Sequence, residues 1–136
     1  MSTTSIPLFS KRSFDFSNLQ NGTTQTIVIA KAIDVSQYTS GTLEVRLHSN
    51  NTTIGSAHIY LQAHTTAPSI EDPSKDFYAS GTVARVDINS QAAPLLAVAS
   101  LGTNFGSMLR ITMEAEQPAG GGLTSAELSA VLTLKA

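Results

Sequence analysis

The chain has 136 residues, a net charge of −2 and only 13% charged residues, with neither cysteine nor tryptophan. That length fits one domain able to bury roughly two thirds of its unfolded-chain surface, and the missing cysteine excludes disulfides, thiolate metal sites and thiol nucleophiles. The near-neutral charge balance, with the 8 Lys and Arg scattered, provides no electrostatic footprint for nucleic acid or an anionic membrane.

Taken in chain order, residues 1 to 13 lack periodicity and are rich in Ser and Thr. They are expected to form an extended N-terminal arm ahead of a single domain over 14 to 136. Ile6, Leu8 and Phe9 are its apolar anchors and would dock on a neighbouring subunit, the alternative being that the terminus tucks against its own sheet. The arm contains no apolar run of signal-peptide length, and Lys11-Arg12 follows its apolar residues instead of preceding them. The longest apolar-rich stretch, 92 to 101, is too short to span a bilayer. A product made in the cytoplasm, without signal peptide or transmembrane segment, is expected.

Phe14 to Phe16 reads as a short strand and Asn21-Gly22 as a turn, Asn-Gly being suited to positive φ. The β-branched run from Thr24 to Ile33 predicts a strand covered on both faces near Ile27 to Ile29. A loop ending on Gly41 leads into two alternating runs. Leu43, Val45 and Leu47 alternate with Glu44, Arg46 and His48, and then Ile59, Leu61 and Ala63 alternate with His58, Tyr60 and Gln62. Joined by the turn formers of 49 to 55, they predict a hairpin that pairs Leu47 with Ile59, Val45 with Leu61 and Leu43 with Ala63. The same register would stack His48 on His58, Arg46 on Tyr60 and Glu44 on Gln62.

Residues 64 to 76 read as a long connection carrying Pro68, Glu71, Asp72, Pro73 and Asp76, a solvated acidic loop whose spacing matches no calcium site. The β pattern resumes over 77 to 89. Pro94 to Leu101, with Pro at a possible first helical position and a high Ala content, is read as a helical turn. Leu109, Ile111, Met113 and Ala115 then alternate with polar partners, Pro118 to Gly122 is a flexible loop, and Leu128, Ala130, Leu132 and Leu134 form a last strand. The fold class is all-β: an antiparallel β-sandwich, a jelly roll or related Greek key. The expected core comprises the larger residues of these inward rows, without the alanines, together with Ile27, Ile29, Val86 and Ile88.

No stretch carries a catalytic signature. There is no Gly-x-Ser-x-Gly elbow, and Gly102-Thr-Asn-Phe-Gly106 lacks the Lys-Ser/Thr of a phosphate loop. His48 and His58, paired as above, lack a third ligand for a metal, and His64 has no visible partner. The reading is therefore non-enzymatic, with no catalytic residues, metal or cofactor. Glu44, Arg46, His48, His58, Tyr60 and Gln62 form the candidate interaction face. A carbohydrate- or other ligand-binding module using Tyr38, Tyr60, Tyr78 and the 64 to 76 loop is the alternative.

Asp34 to His48, Gly106 to Met113 and Leu128 to Leu134, set in this low-charge sandwich, resemble small structural proteins of tailed bacteriophages or related virion assemblies. That resemblance implies capsid decoration, minor capsid or tail-type roles and localisation to the virion. It also implies partners that are copies of the chain or other virion proteins. The scattered charges separately predict no direct contact to nucleic acid or membrane, and the ligand-binding alternative leaves a glycan as the lesser expected partner.

Overall fold

The computed structural model describes residues 3–52, 58–68, 77–89, 95–102 and 105–136. Eight strands account for most of them: β1 (Thr3–Asp15), β2 (Thr24–Asp34), β3 (Ser40–Thr52), β4 (His58–Pro68), β5 (Phe77–Asn89), β6 (Leu95–Ser100), β7 (Met108–Glu116) and β8 (Leu123–Lys135). They form two four-stranded sheets, β1-β8-β3-β6 and β2-β7-β4-β5. Every pairing is antiparallel.

The pairing is nested: β1 with β8, β2 with β7, β3 with β6 and β4 with β5. Successive pairs alternate between the two sheets. A chain folded once into a long hairpin and then rolled up gives this order, which is that of a jelly roll. The inward rows are those of the alternation: Leu43, Val45 and Leu47 from β3, Leu61 and Ala63 from β4, Leu109, Ile111 and Met113 from β7, and Leu128, Leu132 and Leu134 from β8. A period of two buries one face of each strand and leaves the other outside.

The expected hairpin between 42 and 63 does not form. β3 lies between β8 and β6 in the first sheet, and β4 lies between β7 and β5 in the second. Val45 pairs with Ala97 and Ala130, and Leu61 with Val86 and Met113. Both apolar rows are buried, but they line the core from opposite sheets. Alternation fixes which face of a strand turns inward and carries no information about which strand lies beside it. Residues 53 to 57, which join the two, lie outside the described residues.

Two other expectations are corrected, and for residues 1 to 13 the second of the two readings holds. From Thr3 onward the terminus tucks against the chain's own sheet as strand β1, paired along its length with β8. Residues 95 to 100 are strand β6 instead of a helical turn, because Leu95, Ala97 and Ala99 alternate with the exposed Leu96, Val98 and Ser100. Pro94 lies outside the described residues. β2 is covered on one face only: Ile27 and Ile29 pack partly buried against the core, while Val28 is 45% exposed. As an edge strand, β2 has a neighbour on one side alone.

One local device recurs. Asp15-Phe16-Ser17 ends β1 and Asp34-Val35-Ser36 ends β2. In each, the Asp carboxylate accepts the backbone N–H of the Ser two residues on, at 2.9 Å. This is the Asx turn, which reverses the chain without a glycine. The Ser side-chain hydrogen bond, then its backbone one, holds each carboxyl below its ordinary value. The residue inside each turn points into the core, Phe16 at 1% and Val35 at 0% exposure. The N–H groups of these two residues reach the carbonyls of Thr124 and Ser107, both at 2.8 Å.

Candidate interaction faces

The six residues of the expected interaction face belong to different sheets. Glu44, Arg46 and His48 project from β3 on the outside of the first sheet, whereas Tyr60 and Gln62 project from β4 on the outside of the second. His58 begins β4, and its side chain lies outside the described residues. The sandwich thus carries two separate polar faces.

On the first, Arg46 Nε donates to Glu44 Oε1 at 2.8 Å, two residues apart along one strand face. The pair is open to solvent and worth at most about 1 kcal/mol. His48 Nε2 lies 2.7 Å from Ser129 Oγ on β8, and that same oxygen accepts the backbone N–H of Lys11 at 2.8 Å. Towards the free edge, Arg46 sits beside Leu96 and Glu44 beside Val98 of β6. These two apolar side chains are 56% and 55% exposed.

The second face is more tightly connected. Tyr60 donates its hydroxyl to Glu114, and Thr26 Oγ1 donates to the same carboxylate at 3.4 Å. The Arg85 guanidinium lies over the Tyr60 ring, 3.9 Å from its centroid, while its Nε donates to Asp87 at 2.9 Å. His64, which has no evident partner in the sequence, sits between Thr112 Oγ1 at 3.1 Å and Thr82 Oγ1 at 3.3 Å. Every one of these groups has its partner inside the network, which braces β2, β7, β4 and β5 against one another.

His64 is held below the ordinary imidazole value, first by burial and then by the positive charge of Arg110. In the range around pH 6 the unfolded chain therefore binds more protons at this position than the folded one. The stability associated with neutral His64 is present above the ordinary value of about 6.5 and is lost as pH falls through the lower folded-state value. Thermal midpoints recorded from pH 7.5 to 5 should fall, and His64→Gln should flatten that slope. An equal slope in the variant would remove His64 as its source.

Ile6, Leu8 and Phe9 pack partly buried against the chain's own core. The Phe9 ring meets that of Phe14 edge-on, with centroids 5.4 Å apart. Tyr38 donates its hydroxyl to Thr4 Oγ1 at 2.9 Å and packs against the core, so it shares no platform with Tyr60. The Tyr78 side chain and the acidic residues Glu71, Asp72 and Asp76 lie outside the described residues. Among the described residues no group of three metal-ligating side chains comes together, and no helix is long and apolar enough to cross a membrane. Ser129, Lys11 and Glu114 escape a reading by sequence because their partners lie on strands distant in the chain.

No family model and no curated protein matches the sequence. Solved structures do match its fold. A structure of infectious bursal disease virus, Gx strain, aligns over 98% of this chain at 14% identity and a TM-score of 0.58, and the VP2 subviral particle of that virus aligns over 98% at 17% identity and 0.55. The carbohydrate recognition domain of Emp47p aligns over 99% of this chain and 88% of its own, at 12% identity and a TM-score of 0.50. The chain spans about a third of the length of the viral chains, 31% and 32%. At such identities the likeness is one of fold, an antiparallel β-sandwich.

Proposed function

We propose that the chain is a non-enzymatic structural subunit of a virus particle, assembling with copies of itself or with other particle proteins. The observation that carries this reading is an eight-strand jelly roll alignable over 98% of the chain with chains of a viral particle. A weakly charged surface supports it, since charged residues are the class depleted from interface cores. So does the free-edge strand β6, which holds Leu96 and Val98 out to solvent. Tailed-bacteriophage origin, as a capsid decoration, minor capsid or tail-type protein in the virion, belongs to this proposal and rests on sequence style alone.

The mechanism is burial of neutral sheet faces and of the β6 edge between subunits. Light scattering on a sizing column, across a concentration series, should give a multiple of 14.3 kDa. The double variant Leu96→Asp, Val98→Lys should lower that mass while leaving the thermal midpoint within a few degrees. A clean monomer at all concentrations that also fails to decorate particles would sink the reading, and an unchanged mass in the variant would remove β6 from the interface.

A further inference from the structure

We propose that the outer face of the first sheet holds a binding site for an anionic saccharide, with the charged group of the sugar placed among Lys11, Arg46 and His48. This goes beyond the assembly reading.

The site is created by an irregularity in β1. Phe9 pairs with Ala130 and Arg12 with Leu128, so Ser10 and Lys11 together stand opposite Ser129 alone. This is a β-bulge, a device that re-aims a side chain. Lys11 has φ 47, in the left-handed region that normally takes glycine. Its N–H reaches the Ser129 hydroxyl, which His48 also contacts, so groups from β1, β8 and β3 converge on one oxygen.

A groove of about 370 Å³ opens at this point, and Lys11, Arg46, His48 and Ser129 line it. A second groove of about 490 Å³ shares Arg46 and His48 and continues towards Leu95 and Leu96. Among the described residues no carboxylate lines either groove. Glu44 is engaged on Arg46 Nε, and the Arg46 side chain is otherwise 61% exposed, so its terminal guanidinium nitrogens face the solvent side where a ligand would approach. Glu127 lies in the next row, opposite Ser13 and Ser49.

Lysine and arginine only donate, and the Ser129 oxygen already has two neighbours, so the ligand must bring acceptors, which an anionic group such as a carboxylate or a sulfate supplies. Pro7, Phe9 and Val131 complete the first groove. Phe9 is packed edge-on with Phe14. Proline and valine surfaces suit the C–H face of a sugar ring.

The test is titration calorimetry on the full chain with sialyllactose, a sulfated heparin disaccharide, lactose and inorganic sulfate. At least one acidic saccharide should bind roughly tenfold or more tightly than lactose and than sulfate. Arg46→Gln and Lys11→Gly should each weaken it by roughly tenfold. Lys11→Gly keeps the left-handed backbone and the N–H to Ser129, so its thermal midpoint should hold or rise while binding falls. Arg85→Gln, on the opposite outer face, should leave binding unchanged. The proposal is overturned if no acidic saccharide saturates the protein, if lactose or sulfate binds equally well, or if Lys11→Gly binds like the parent.

Discussion

Removing residues 1 to 13 is expected to destroy cooperative folding, where a docking arm would lose only assembly. The deletion takes away nearly all of β1 and with it the antiparallel partner of β8 from Thr3–Lys135 to Ser13–Glu127. The backbone groups of β8 on that side would lose their ladder and become an open edge. Ile6, Leu8 and Phe9 would no longer cover the core, and Phe14 would lose its edge-on neighbour. Half-burial of three large apolar side chains is worth about 1 kcal/mol each. With the ladder added, the loss becomes comparable to the 5–15 kcal/mol, roughly, that holds an ordinary domain together. Circular dichroism melts and solubility of the truncated chain test this. A truncated protein that melts cooperatively near the parent temperature would return these residues to the role of an arm.

Gln117→Leu should cost about 2–4 kcal/mol, unusually much for a residue outside the strands. Gln117 is 4% exposed and its side chain behaves as a missing strand partner. Its Nε2 donates to the Leu123 carbonyl at 2.9 Å, and its Oε1 accepts the Leu123 N–H at 2.9 Å. A weaker bond from Nε2 reaches the Leu19 carbonyl at 3.4 Å. Its own N–H donates to Thr23 and its carbonyl accepts from Gly22, so one residue ties the turn after β1 to the start of β8. Leucine fills nearly the same volume but leaves a buried N–H and a buried C=O without partners, each costing about 1–3 kcal/mol. Urea unfolding should show a lower midpoint with an unchanged slope. A loss under about 0.5 kcal/mol would mean that water replaces both bonds.

Both expectations concern residues whose importance a linear pattern understates. Residues 1 to 13 lack clean alternation because β1 carries two register shifts, after Pro7 and after Phe9. Each extra residue reverses the inside–outside phase, so the strand looks like irregular chain. Phe16 and Val35 were missed as core for a similar reason. They sit beyond the strand ends, inside Asp-x-Ser turns whose signal is local and legible once sought.

Composition and strand periodicity are enough for the fold class and for the inward face of nearly every central strand. Leu43, Val45, Leu61, Leu109, Ile111, Met113, Leu128, Leu132 and Leu134 are all buried where the alternation places them. Those are statements about one strand at a time, and the pleat enforces them locally. Which strands are neighbours is visible in the folded arrangement alone. That arrangement parted β3 from β4, brought β1 beside β8 across the whole length of the chain, and divided one expected interaction face into two. Strand partners are chosen by the joint closure of two sheets over a common core, so the choice appears only when all eight strands are present together.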